Sequence, residues 1–492
     1  MGYKPLIGIT DKVTSYYPPA TLGDPVPAIR TPFTDPVFGT IVQRVSDYQW
    51  STNPQARHEY SKLMSISRDK TIGVFYMGSG WNEIRNLSTG ALIGTHFSGG
   101  GLDTEFHTDA NGLFGYYRSS SSIRRVDLAT GADALMMTVK RSDNITNFLC
   151  CYTKQEGRAS FDGRWWACWG IYTSAFTTRD LVVIDRSNWT VHARQEPMAT
   201  PYGDSLSVSP LGNYVVVAAG GTGQYWRVHG RSDLVFQRNL CVDATHADLA
   251  LGTDGDEYLV YYAVSSAQWQ TELGQTGPGI TVANLRTGAK SMVWKYPGYM
   301  SSHISGMVSK EHPGWVLVST YGTNFGNYPC FGECFFFNFH TGDVRRVAHH
   351  HRENGGYWGE PQALASWAGD AVLVASNWNS GRAISNATNA SPIRVTTTVA
   401  HGWTTGAKVV IESVAGNTAA NGTWTITYVD ATNFTLNGST GNGAYTSGGV
   451  VGIRFEDYLI TPPTGYSFFL EENLQTTSRK SPSAGNWSAR RW

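Results

Sequence analysis

Charge is scarce in this chain, and so are cysteine and long apolar runs. Asp, Glu, Lys and Arg make up only 15% of its 492 residues, and the two signs cancel at 38 each. A chain without net charge has no bulk field to draw it onto nucleic acid or anionic lipid. No stretch approaches the roughly eighteen consecutive apolar residues of a membrane-spanning helix. The opening residues, Met1-Gly-Tyr-Lys-Pro-Leu-Ile-Gly-Ile-Thr, lack the apolar core and small-residue cleavage site of a secretory leader. Leu6 stands where a myristoylated start needs Ser or Thr. The expectation is a protein made in the cytoplasm without a signal peptide.

Six cysteines in this length do not make a disulfide scaffold. Cys150 and Cys151 flank an apolar strand and read as buried thiols. Cys330 and Cys334 enclose Phe-Gly-Glu like half of a metal knuckle, but no second pair completes a four-ligand zinc set. A loop disulfide is the expectation that remains for them.

Glycine is abundant, at 54 residues, and aromatics reach 13%. Turn formers combined with large flat side chains favour many short strands over long helices. One unit recurs with a period of about forty to fifty residues. Its inner hairpin appears at Lys62 to Tyr76, Glu105 to Tyr117, Arg158 to Trp169, Leu206 to Ala218, Asp248 to Tyr262 and Ile304 to Ser319. Its outer hairpin turns on Asn86-Leu-Ser-Thr-Gly90, Asp127-Leu-Ala-Thr-Gly131, Asp185-Arg-Ser-Asn188, Asn284-Leu-Arg-Thr-Gly288 and Asn338-Phe-His-Thr-Gly342. A polar-Thr-Gly turn supplies the left-handed residue that a tight hairpin needs.

Each unit thus offers four antiparallel strands, which is one propeller blade. The units fall at 60–98, 102–140, 157–196, 204–241, 246–297, 302–350 and 357–463, predicting an all-β, seven-bladed propeller. The lone strand within Asp35 to Asp47 is placed to close the ring as the outer strand of the last blade, leaving no open edge. Glycine-rich apolar strands such as Tyr214 to Gly220 would pack around the central channel.

The opening Asp35-Pro-Val-Phe-Gly39 and the blade start His246-Ala-Asp-Leu give most of the chain a general resemblance to bacterial polysaccharide lyase propellers, the oligogalacturonate lyases among them. The last blade is interrupted. It begins at Glu360 to Trp378 and its partner strand appears only at Ile453 to Ile460. The segment between, 386–452, carries His401-Gly402, an Asn421-Gly422 turn, Phe434-Thr-Leu436 and a terminal Tyr445-Thr-Ser-Gly-Gly449. It resembles a small β module of bacteriophage tail and tail-fibre proteins, labelled by similarity to the FCCH domain of ubiquitin-activating enzymes. Nothing in it adenylates ubiquitin, and His401 reads as a hydrogen-bonded turn residue. The division is then an N-terminal extension at 1–34, a propeller at 35–385 and 453–463, the insert at 386–452 and a polar arm at 464–492 that could order on a partner.

Function should sit at one mouth of the channel, on residues that precede the innermost strands. These are Arg57, His58, Tyr60, Asp103, Glu105, Asp204, His246, Asp248, His303 and Glu360, with His349, His350 and His351 just upstream of the last. Imidazoles from neighbouring blades can converge on a divalent metal, so His246, His303 and one of the three consecutive histidines, with His351 as candidate, form the expected set. The bland alternative has these groups hydrogen-bonding loop backbone around a wet channel. Trp269, Tyr321, Tyr357 and Trp358 are candidate sugar platforms, or packing between blades.

The phage-type insert and the missing leader lead to a virion structural protein, a tail, fibre or neck appendage in multiple copies, contacting other virion proteins and host-surface polysaccharide. The lyase resemblance implies the alternative: an enzyme with a His-lined mouth, possessing a divalent metal, in which His246 and His303 serve catalysis and Arg57 neutralises a uronate carboxylate. A third option is an intracellular scaffold propeller.

Overall fold

The structure is a computed structural model. It describes residues 27–469 except 48–49, 51–55, 79–80, 98–101, 110–111, 153–156, 173–178, 196–204, 219–224, 243–244, 297–299, 323–327, 353–359, 379–380 and 453–454. Seven antiparallel sheets follow one another around a ring. Blade 1 contains Ile72–Gly78, Trp81–Asn86 and Leu92–Phe97, with its inner edge supplied by single bridges at Arg57 and Ile66. Blade 2 runs from Leu102–Asp109 to Asp133–Thr138, blade 3 from Cys150–Tyr152 to Thr190–Gln195 and blade 4 from Leu206–Val208 to Phe236–Val242. Blade 5 runs from Thr245–Leu251 to Lys290–Lys295 and blade 6 from Ser301–Ser305 to Val344–His349.

Blade 7 is closed by chain from both ends of the sequence. Leu364–Ala365, Val372–Ser376 and Glu456–Thr461 pair in order, and Ile41–Arg44 pairs with Tyr458 to Thr461 as the closing strand. Phe33–Thr34 adds a fifth strand outside it, so the end of the expected N-terminal extension belongs to this sheet. Asp35 fixes the approach by accepting from the Val37 and Phe38 amides at 2.7 and 2.8 Å. Blade 3 also begins earlier than expected, because Cys150 to Tyr152 pairs with Trp169 to Ile171 ahead of Arg158.

The outer hairpins show why the repeat is readable. Asn86, Asp127, Asn284 and Asn338 each accept two backbone amides within their turns through one side-chain oxygen. The glycine that closes each turn has φ between 73° and 77°. Glycine visits that region freely, whereas any other L-residue loses roughly 1–2 kcal/mol. The second strands are mostly apolar, and Trp165–Ile171, Glu257–Ala263 and Trp315–Tyr321 are wholly buried, because both faces pack on neighbouring blades.

The channel expected from sequence is filled along much of its axis. Lys62 of blade 1 lies over the Trp226 ring of blade 4 at 5.7 Å, and Arg158 of blade 3 pairs with Asp248 of blade 5 at 3.1 Å. Ser61 of blade 1 donates to the Ile304 carbonyl of blade 6 at 3.3 Å. At the end marked by the inner hairpin turns, Phe161 of blade 3 meets Trp367 of blade 7, their rings 5.4 Å apart. Large side chains thus meet across the axis at that end, and the opposite end is the mouth.

The insert folds as a closed six-stranded barrel from Arg382–Ala387 to Ser447–Gly452, starting just upstream of the expected boundary. It has its own apolar core, including Ile384, Trp403, Ile411, Phe434 and Val451. His401 holds a turn, its Nδ1 accepting from Trp403 N–H at 3.0 Å and its Nε2 lying 3.1 Å from the Asp430 carbonyl. The barrel leaves blade 7 after Ser376, which pairs with Glu456 at the mouth end of the sheet.

The beginning of the expected C-terminal arm docks on the propeller itself. Phe468 and Phe469 are 2% exposed. Phe469 stacks on His312 at 3.9 Å, and Arg345 donates to the Phe468 carbonyl. The remaining residues, 470–492, lie outside the described part. Cys330 and Cys334 are buried and not joined in a disulfide, which corrects the loop-disulfide expectation. Cys334 sits inside the strand Glu333–Asn338, where burial pushes its thiol up.

Candidate functional site

At the open mouth, three blades bring together His246, His303 and Glu360. Their donor atoms all lie within 4.8 Å of one another. His246 arrives by a β-bulge: the register of blade 5 slips between Thr245 and Asp248, and His246 takes φ 53°. A bulge turns a side chain out of its regular alternation, and left-handed backbone at a non-glycine residue marks a conformation held by its surroundings.

The His246 and His303 rings stack 4.2 Å apart and 6° from parallel. Tyr321 continues the stack, 5.2 Å from His303 and inclined by 13°. His303 Nε2 is 2.7 Å from Glu360 Oε2. His246 Nδ1 is 2.9 Å from the Ser302 carbonyl and 3.1 Å from the Tyr321 hydroxyl. A carbonyl can only accept, so Nδ1 carries the proton and Nε2 keeps its lone pair.

Burial pushes the His246 imidazole down to about 3 and His303 well below its ordinary value, helped by neighbouring positive groups. Both rings are therefore neutral near pH 7, the state that binds metal or accepts a proton. Burial raises the Tyr321 phenol, which stays protonated. Arg352 lies over the Tyr321 ring at 5.1 Å, and burial lowers its guanidinium.

The other candidates from sequence are distributed differently. His351 is not in the cluster; its ring stacks on Trp378 at 4.1 Å. His350 is buried with Nε2 2.7 Å from the Thr320 carbonyl, and His349 lies 3.7 Å from Glu333. The strand ends at His349, and His351 takes φ 51°, which turns its ring onto Trp378, so the one ligand expected from these three is not delivered. Arg57 is fully buried, donating to the His58 and Glu360 carbonyls at 3.2 and 3.1 Å and to Gln362 Oε1. That placement makes it a scaffold for the mouth in place of the substrate-neutralising group expected.

Tyr321 stands in the site, but as a hydroxyl beside His246 and a ring 8% exposed. Trp269 lies in the one-turn helix Ala267–Glu272 on blade 5 and donates its indole N–H to the Val264 carbonyl at 3.2 Å, away from the cluster. Tyr357, Trp358 and Asp204 lie outside the described residues, as do the side chains of Asp103 and Glu105. Sequence reasoning placed Glu360 at the mouth without giving it a role, and it missed Arg352, Gln362 and Asp457.

Fold and site together define an all-β, seven-bladed propeller with a histidine-carboxylate cluster at its mouth. No family model and no curated protein matches the sequence. Among solved structures, an oligogalacturonate lyase in complex with manganese is 16% identical, with 70% of this chain and 92% of that one covered and a TM-score of 0.48. The oligogalacturonate lyase of Vibrio parahaemolyticus is 14% identical, with 71% and 93% covered and a TM-score of 0.48. The hydrazine synthase of Kuenenia stuttgartiensis is 12% identical, with 66% and 93% covered and a TM-score of 0.42. Likeness at this level says nothing about chemistry, which has to be argued from side chains.

Proposed function

We propose that the mouth is a cation-assisted site for an acidic polysaccharide, cleaving it by elimination. The observation that carries this reading is the cluster of two neutral imidazoles and one carboxylate, contributed by three blades and built on a bulge. Imidazole nitrogen plus carboxylate oxygen is a donor set that divalent first-row cations accept. His303 and Glu360 form the pair that would hold the ion, with the His246 Nε2 lone pair beside them left for the substrate. A cation there would polarise the substrate carboxylate and so acidify the neighbouring C–H.

His246 is the more exposed of the two histidines, and its Nε2 lone pair is the group placed to take that proton. The Tyr321 hydroxyl, protonated and 3.1 Å from the same ring, is placed to give one to the departing sugar oxygen. In such an elimination the C–H bond breaks, a C=C bond forms, and the C–O bond to the leaving sugar breaks with proton uptake. No further reactant is consumed.

Incubation with a panel of uronate polysaccharides and Mn2+ tests the reading through the ultraviolet absorbance of the unsaturated product. Absorbance growing with time is the expected result; silence on every uronate with Mn2+ present overturns it. His246→Ala should lower turnover by roughly 10²–10⁴-fold and leave Mn2+ binding in place, whereas His303→Ala should remove both.

We further propose that the chain serves in a bacteriophage particle as a tail, fibre or neck appendage, turning this mouth toward host-surface glycan. What supports the proposal is the phage-type sequence of the insert and its closed barrel, attached at the mouth end of blade 7. Purified particles should contain the chain in stoichiometric copies by mass spectrometry, and particles lacking it would sink this second reading.

A further inference from the structure

Beside the cluster lies a buried pair that the proposed chemistry does not use. His58 and Asp457 are fully buried and 399 residues apart in sequence. Asp457 Oδ1 is 2.7 Å from His58 Nδ1, and Oδ2 accepts the His58 backbone N–H at 2.5 Å. On the other side of the ring, His58 Nε2 is 2.6 Å from the Gln362 carbonyl. The Gln362 carbonyl can only accept, so Nε2 donates to it.

Gln362 needs that grip. Its φ is 41°, in the left-handed region, which strains a non-glycine residue and persists only where the surroundings over-determine it. Arg57 supplies a second hold, through Gln362 Oε1 and the Glu360 carbonyl. The turn at Gln362 comes two residues after Glu360. It therefore sets the direction from which the Glu360 carboxylate meets His303 Nε2.

We propose that Asp457 and His58 are positioning residues for Glu360: the pair fixes the left-handed turn at Gln362, and the turn holds the Glu360 carboxylate against His303. The chemical meaning of this rests on the mouth being a cation site, but the positioning itself requires no cation. The anchor also joins distant parts of the chain. The Asp457 carbonyl accepts from Val45 and Ser46 of the closing segment at 2.9 and 3.4 Å, and its N–H donates to Ser46 Oγ at 2.7 Å. Asp457 lies in Glu456–Thr461, the strand by which the chain returns to blade 7 after the barrel. Ring closure, the return from the barrel and the aim of Glu360 thus meet at one residue.

The test uses the full chain with 15N-labelled histidine. The His303 side-chain nitrogens are read by NMR without metal, in the native protein and in Asp457→Asn, and Mn2+ is then titrated into both. In Asp457→Asn the His303 Nε2 resonance should move to that of an imidazole without a carboxylate partner, and Mn2+ affinity should fall about 10–100-fold. Asp370→Asn, at the opposite end of the propeller, should change neither. A folded Asp457→Asn with an unmoved His303 resonance overturns the proposal. A native protein that binds no Mn2+ overturns only the cation reading, because the resonance is read first. If Asp457→Asn does not fold, His58→Gln removes the ring's hold on Gln362, is read in the same way and decides the question.

Discussion

The Thr-Gly outer hairpins and the mouth place left-handed backbone on different residues. In the outer hairpins of blades 1, 2, 5 and 6 it falls on glycine: Gly90, Gly131, Gly288 and Gly342, each closing a turn already capped by Asn or Asp. The outer hairpins of blades 3 and 4 put it on Trp189 and Leu234 instead. At the mouth it falls on His246, Gln362, His351 and Trp378, which carry side chains and are strained there. The Thr-Gly turns make the bend without strain. Where a side chain must be aimed at the mouth, the chain accepts strain and holds it with hydrogen bonds. The difference separates those four repeated turns from the residues that shape the site.

Acid should break the comparison most severely. His246 and His350 are both pushed down to about 3 by burial, from an ordinary value near 6.5. A depressed imidazole favours the folded state while neutral, so its contribution is complete above about pH 6.5 and is lost as pH falls toward 3. Melting followed by circular dichroism from pH 7 to pH 4 should show a falling midpoint, and replacing His350 with Gln should flatten the fall.

The closed end should be most sensitive to packing. Phe469→Ala removes a ring 2% exposed between His312, Trp315 and Phe336, and should cost about 3–5 kcal/mol in urea unfolding. Gly131→Ala should cost at least about 1–2 kcal/mol, because an added Cβ would also meet the Ile93 carbonyl at 2.8 Å. The mouth should show the reverse order. His246→Gly should be more stable than His246→Ala by roughly 1 kcal/mol, while both lose activity. Equal stability of those two variants would erase the distinction between those turns and the mouth.

The fold was legible because each blade is local. A turn such as Asp127-Leu-Ala-Thr-Gly131 contains its own cap and its own left-handed residue, so the repeat can be recognised without knowing what it packs against. Even the closure was legible, since Ile41–Arg44 is a strand without a partner nearby in sequence. The site was legible only in part. His246 and His303 stand out because a blade fixes which residues precede its innermost strand. Their partner Glu360 and the clamp on Gln362 depend on ring closure, and no local pattern announces a bond between His58 and Asp457. Three adjacent histidines suggested a ligand, but His350 is tied to the Thr320 carbonyl and left-handed backbone turns His351 onto Trp378. Arg57 suggested a substrate contact, but its guanidinium is spent inside the wall. Cys330 and Cys334 suggested a bridge, but one of them belongs to a strand.

The side chains that cross the axis tie blades together that are not neighbours in the ring, so the ring is braced through its centre as well as around its rim. The barrel is rooted at the same end as the stacked rings, so a polymer held at the proposed site would pass beside it.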